Sequence, residues 1–146
     1  MNIIETTKLE WIEENLGVGA LVTFLYDNLK PYEDEPDAIL AGVKRALSGA
    51  EGANGRVLLA MHEGVLQGAL VLLKTGMEAY VPSHLLLFVA VRKDLRGQGI
   101  GRKLVEQAID HAGGDLCLHV EYDNPAKRLY ERIGFNSKYA EMRFSK

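Results

Sequence analysis

The stretch from Val89 to Leu104 reads Val-Ala-Val-Arg-Lys-Asp-Leu-Arg-Gly-Gln-Gly-Ile-Gly-Arg-Lys-Leu: an apolar segment, a basic turn with glycines at 97, 99 and 101, and the opening of an amphipathic helix. Few arrangements satisfy it. Glycine takes positive φ without a Cβ clash, so glycines at alternate positions bend the backbone tightly and let another molecule approach it. The helix that follows leaves its first N–H groups unpaired and points the positive end of its dipole at the turn, which suits a phosphorylated ligand. Spacing excludes two nucleotide loops of similar appearance. In the first, Gly-x-x-x-x-Gly must be followed by Lys and then Ser or Thr, whereas Gly97 and Gly101 are followed by Arg102-Lys103-Leu104. In the second, a dinucleotide fingerprint, the third glycine would fall at Arg102, and the motif would open an early βαβ unit rather than lie two thirds along the chain.

A second pattern follows downstream, Asn124-Pro125-Ala126-Lys127-Arg128-Leu129-Tyr130-Glu131-Arg132-Ile133-Gly134-Phe135. It predicts a helix with Asn124 as N-cap, Pro125 at the first helical position, Ala126, Leu129, Tyr130 and Ile133 on one face, and Gly134 as the stop. Together, Arg96-x-x-Gly99-x-Gly101 after a strand and this Asn, Leu-Tyr, Gly-Phe helix resemble the acyl-coenzyme A pyrophosphate loop and the downstream signature of the GNAT family of N-acetyltransferases. The two occur in the family's order, with a strand of the expected length between them.

The periodicity supports an α/β chain of one domain, residues 1–146. Met1 to Thr6 can form a strand, Leu16 to Leu29 and Asp37 to Leu47 have helical apolar spacing, and Ser48 to Gly55 is a loop. Arg56 to His62, Val65 to Lys74 and Leu85 to Val91 read as an antiparallel meander. Gly99 to Ala112 is a helix ended by Gly113-Gly114. Asp115 to Glu121 should then lie parallel to Leu85–Val91, because a crossover helix between two strands makes a right-handed βαβ unit. Asn136 to Phe144 should close the sheet. The resemblance implies the same architecture, a mostly antiparallel mixed sheet with a central parallel splay and flanking helices. The family widens that splay with a bulge, for which Val89 and Ala90 are the expected positions.

Composition narrows the setting. The 146 residues with 47% apolar content suit one core-forming domain. A lone cysteine, Cys117, excludes an internal disulfide framework and favours a cytoplasmic home. The first residues lack a basic segment followed by an apolar stretch, and no apolar run approaches the length of a membrane span, so neither targeting nor a membrane is expected. Residues 1–40 hold two lysines against nine acidic side chains, whereas residues 92–103 hold five basic side chains against one acidic. The basic cluster is local and has no aromatic-rich face beside it, which argues against nucleic acid. It would instead oppose the phosphates of a coenzyme.

The resemblance implies an enzyme that moves an acetyl group from acetyl-CoA to a primary amine by direct attack, with no metal. It places pantetheine against the backbone of Val89, Ala90 and Val91, and the pyrophosphate against N–H groups of Arg96, Gly97, Gln98, Gly99, Ile100, Gly101 and Arg102. Asn124 is either a coenzyme contact or only a helix cap. Tyr130 corresponds to the family's general acid; its alternative is a core tyrosine. Where many members carry a glutamate, six residues before the strand's end, this chain has Leu85. His84 is the chosen substitute base, with His119 and Glu121 as alternatives. The acceptor, a small cationic metabolite or a peptide amine, is expected at the acidic link Tyr32, Glu33, Asp34 and Glu35, with Val81-Pro82-Ser83 as further lining. A homodimer is compatible with the reading. So is an acyl-CoA-binding regulatory or interaction module that has lost turnover.

Overall fold

Three apolar runs, two of them buried continuously through their middle and the third alternating, make the centre of the protein. In the computed structural model, which describes residues 1–146, they are β2 (Gly55–His62), β3 (Val65–Lys74) and β4 (His84–Val91), paired antiparallel as a meander. β1 (Asn2–Thr6) lies antiparallel to β2 and β5 (Leu116–Leu118) lies parallel to β4, giving a five-stranded mixed sheet in the order β1-β2-β3-β4-β5. α1 (Leu9–Asn15), α2 (Val18–Leu29) and α3 (Pro36–Ala46) pack on one face, and α4 (Ile100–His111) and α5 (Ala126–Ile133) on the other. β3 is buried on both sides. Its Ala69 and Val71 join the first core and its Leu70 and Leu72 the second.

The helices follow from their stripes and ends. Pro36 opens α3 with φ already set for a helix, and Ile39, Val43 and Ala46 then bury against the sheet. On α4, Ile100, Leu104, Val105 and Ala108 form the buried stripe; enclosing Leu104 alone contributes about 2 kcal/mol of apolar transfer.

One irregularity shapes the rest. Val71 stands opposite Phe88 and Leu72 opposite Leu86, so Leu87 is an extra residue in β4, a β-bulge. The bulge resets the side-chain alternation. Leu87 and Phe88, neighbours in sequence, both pack on the α1–α3 side, while Leu86, Val89 and Val91 pack on the α4–α5 side. Gly42 of α3 provides the room, since a Cβ there would lie 2.5 Å from Leu87 Cδ2 and 3.1 Å from Phe88 Cε2. Pairing between β4 and β5 ends at Leu86 opposite Leu118, directly before the bulge. Beyond it the two strands part.

The meander, the parallel β4–β5 pair and the positions of α3 and α4 agree with expectation. Four features differ. The bulge falls at Leu87, not at Val89 and Ala90, because the residues that can double up are those facing Gly42. Leu9–Asn15 forms a helix of its own, cut from α2 where Gly17 adopts φ +91° and, with Leu16, returns its N–H to the Ile12 carbonyl. β5 pairs over three residues instead of the seven from Asp115 to Glu121. The segment Asn136 to Phe144 forms no strand and leaves the sheet open at β5.

Replacing Gly42 by valine should cost about 1–3 kcal/mol through overpacking against the bulge, read as a lowered urea midpoint. An unchanged midpoint would show that Leu87 and Phe88 do not need that space.

Candidate active site

The glycine-rich turn leaves β4 through a single 3₁₀ turn, Lys93–Leu95, and enters α4 with Gly97 at φ +79° and Gly99 at φ +85°. These are left-handed conformations that strain any residue with a Cβ. Nothing lies within 4 Å of where a Cβ would stand at either position, so the outer surface of the turn is open. From Arg96 through Arg102, no main-chain N–H finds an acceptor inside the protein, whereas the next, Lys103, bonds the Gly99 carbonyl at 3.1 Å. Seven consecutive free donors at a helix start form a concentrated anion-seeking surface.

The basic side chains of this stretch are mostly engaged elsewhere. Arg92 is bidentate to Asp94, which holds the Asp94 carboxyl below the usual carboxylate range. Arg96 donates to the Asn28 carbonyl at 2.5 Å, the Lys93 N–H bonds Asn28 Oδ1 at 3.3 Å, and Arg102 pairs with Glu106. The end of α2 is thereby tied to the turn. Asn28 carries no motif, so only the tertiary structure reveals its part.

The two sequence motifs meet behind the turn. A Cβ on Gly101 would touch Val91 Cγ2 at 3.5 Å and Leu129 Cδ2 at 3.7 Å, which sets the first turn of α4 against both β4 and α5. Val89, Ala90 and Val91 pair with β3 on one side, and their other edge has no strand because β5 has already diverged.

Tyr130 belongs to the core below α4 and α5, 8% exposed, with its ring edge-on to Phe135 at 5.9 Å. Its hydroxyl has no partner in the protein, yet no sealed side-chain oxygen lacks one, so the hydroxyl remains reachable from outside. Burial, and secondarily the Glu121 charge, push its pKa up to about 12. Asn124 has both ends of its amide engaged, Oδ1 accepting from the Ala126 N–H at 3.0 Å and Nδ2 donating to Glu121 at 3.1 Å. The helical cap thus falls one residue later than expected, at Pro125, with Asn124 bracing the turn before it.

The acidic link comes to the same end of the molecule. The Tyr32 hydroxyl donates to the Asp123 carbonyl at 3.1 Å. Partial burial, then Asp123 and Glu121, raise the Tyr32 pKa, which locates these carboxylates beside it. Glu33 is half-buried and Asp34 exposed.

His84 is not brought to this place. It begins β4 within the paired part of the β4–β5 ladder, three residues before the bulge, or about 10 Å along the strand. It is 6% exposed, with Nδ1 2.8 Å from Ser83 Oγ, and lines a cavity of about 330 Å³ with Arg56, Lys74 and His111. Burial first, then the Lys74 and Arg56 charges, lower its pKa. His119 and Glu121 lie past the end of β5 and are exposed.

Residues 53–137, more than half of the chain, match the family described as "Acetyltransferase (GNAT) domain". The chain belongs to the GNAT acetyltransferase family. Solved structures agree over nearly its whole length. A transcriptional regulator from Bacillus halodurans C-125 is 21% identical with a TM-score of 0.68, covering 99% of this chain and 100% of its own. An aminoglycoside N-acetyltransferase in complex with CoA is 16% identical with a TM-score of 0.69, covering 99% and 93%. A ribosomal-protein-alanine N-acetyltransferase from Brucella melitensis biovar Abortus 2308 is 18% identical with a TM-score of 0.67, covering 99% and 98%. No curated protein matches by sequence. At these identities the neighbours establish the GNAT fold and leave the acceptor of this GNAT chain to be argued from its own residues.

The buried phenol makes a pH prediction. A tyrosine whose pKa is raised on folding stabilises the folded state below its unfolded pKa near 10, and that stabilisation is lost as pH rises towards about 12. Between pH 10 and 12 the protein should lose about 3 kcal/mol more than its Tyr130→Phe variant in urea titrations. Parallel losses in the two would contradict the buried phenol.

Proposed function

We propose that this GNAT protein transfers an acetyl group from acetyl-CoA to a primary amine, a small cationic metabolite or a peptide amine, by direct attack. The seven free N–H groups from Arg96 to Arg102 carry the reading. They suit a diphosphate, which needs many donors at short range, and they stand at the end of β4, whose edge beyond Leu86 is no longer paired with β5. Coenzyme, when bound, supplies the acetyl group as a thioester. The open edge of Val89, Ala90 and Val91 would take the amides of its pantetheine arm. Asn124 serves by bracing the β5–α5 turn.

Tyr130 is the group we assign to the departing sulfur. A phenol at about 12 facing a thiol near 8.5 makes full proton transfer uphill by roughly 5 kcal/mol. It therefore works as a hydrogen-bond donor, with the proton passing late and the phenol restored from solvent. The acceptor amine presents the other difficulty. An alkylamine with a pKa near 10.4 costs roughly 4 to 5 kcal/mol to deprotonate at pH 7. His84 is the only titratable side chain of β4 and faces another cavity, so we assign proton removal to water at the open mouth. Tyr32, Glu33, Asp34, Glu121 and Asp123 would gather the cation there.

A chain that holds the coenzyme without turnover is the second reading. Leu85, apolar where many members of the family carry a glutamate, favours it. Release of free CoA from acetyl-CoA across a panel of amines and peptides separates the two. Turnover is expected with a cationic amine, and Tyr130→Phe should lower kcat by about 10²-fold with little change in the KM for acetyl-CoA. Tight CoA binding without release on any acceptor would select the second reading.

Neutralising Glu33 and Asp34 together, as Gln and Asn, should raise the KM for a cationic acceptor several-fold at low salt and little at high salt. An unchanged KM at low salt would remove the acidic link from the acceptor site.

A further inference from the structure

The cavity beside His84 lies at the opposite end of α4 from the glycine turn. That helix starts with Ile100 at the turn and ends with His111 at the cavity, a span of about 17 Å at about 1.5 Å per residue. Arg56, Lys74 and His84 come from the start of β2, the end of β3 and the start of β4. Strand alternation puts all three on the α4–α5 face, in step with the buried Leu58, Leu72 and Leu86. The loop after β3 is fixed beside them. The Thr75 N–H bonds the Ser83 carbonyl at 2.9 Å, while its hydroxyl donates to the Pro82 carbonyl at 2.8 Å and accepts from the Met77 N–H at 3.2 Å.

The cavity holds positive charge that the protein leaves uncompensated. Lys74 makes no ion pair, and the one carboxylate turned inward, Glu5, is shared between Arg56 Nη1 at 3.0 Å and His111 Nδ1 at 2.7 Å. Arg56 Nε and Nη2 therefore have no acceptor. Glu78, on the rim, is exposed and pairs with neither cation. The His84 ring is held from behind, its Nδ1 beside Ser83 Oγ, which also reaches the Asp115 carbonyl at 3.4 Å. Gly114 leaves room for that hydroxyl, since a Cβ there would stand 2.4 Å from it. His84 Nε2 has no partner in the protein, yet no sealed side-chain nitrogen lacks one, so it opens on the cavity. Burial lowers the pKa of this ring and the Lys74 and Arg56 charges lower it further, so both cations reach it.

We propose that this cavity is a second ligand site, which holds the anionic group of a small metabolite, a carboxylate or a phosphate ester, between Lys74, Arg56 and the His84 ring. One oxyanion can accept from the ammonium and from the free nitrogens of the guanidinium together. It also offsets the repulsion between two cations set around one buried ring. A volume of about 330 Å³ takes the body of a small metabolite as well as its charged group, with Ala53 and Met77 as apolar contacts. The site uses nothing of the coenzyme turn, whose free donors stand at the other end of α4.

Magnetic resonance of the ¹⁵N-labelled full chain tests the site with two probes, inorganic phosphate and succinate, each added at constant pH and ionic strength. At least one should shift the amides of Lys74, Gly76, His111 and Gly113 and the ring signals of His84, and the shifts should saturate. Saturation by phosphate alone assigns a phosphoryl group and by succinate alone a carboxylate; either upholds the site. Lys74 is half-buried at a strand end, so Lys74→Gln should fold and weaken binding roughly tenfold, and Lys74→Arg should weaken it less. No saturable shift with either probe, the same shifts with chloride, or an affinity unchanged in Lys74→Gln would each overturn the proposal. Phosphate shifts confined to Arg96–Arg102 would overturn it too, while leaving the coenzyme reading of the turn intact.

Discussion

The packing of Leu87 and Phe88 side by side against Gly42 decides where the sheet must open. A β-strand cannot send two successive side chains to one face and keep its register, so β4 gains a bulge, and its ladder to β5 ends at the residue before it. Everything beyond depends on that break. The open edge of β4 exists because β5 has diverged, and the glycine turn begins where β4 ends. α4 in turn is seated against Val91 and Leu129 through the missing side chain of Gly101.

The electrostatics of the mouth are divided between main chain and side chains. On the α4 side the positive potential comes from the N–H groups together with Lys93, Arg96 and Lys103, whereas the charges of Arg92 and Arg102 are paired with Asp94 and Glu106. On the side of the α2–α3 link the carboxylates belong to side chains near Tyr32 and Asp123. Tyr130 is withdrawn into the core behind them, and burial makes its phenol a poor acid and a good neutral donor.

Much of this was legible in the residues. The three strands of the meander, α4 and α5 follow from local period and punctuation, and the two motifs carry enough spacing to name the family. What was not legible depends on contacts between distant segments. Leu87 is one leucine in a run of three, and only the opposing glycine of α3 selects it as the bulge. Asn28 and His84 are similar cases, one clamping the turn from another helix, the other turned towards a cavity by the register of β4. The tail from Asn136 to Phe144, expected to close the sheet, forms no strand, since a strand needs a partner edge that local composition does not specify.

The central claim is that the turn between β4 and α4, with the open edge before it, is where coenzyme A is held. Backbone amide shifts of the ¹⁵N-labelled protein, recorded as CoA is added, test it most directly. The account predicts that the largest changes fall on Arg96 to Arg102, followed by Phe88 to Val91. Changes concentrated instead around His84, Lys74 and His111, with the glycine turn unmoved at saturation, would contradict it.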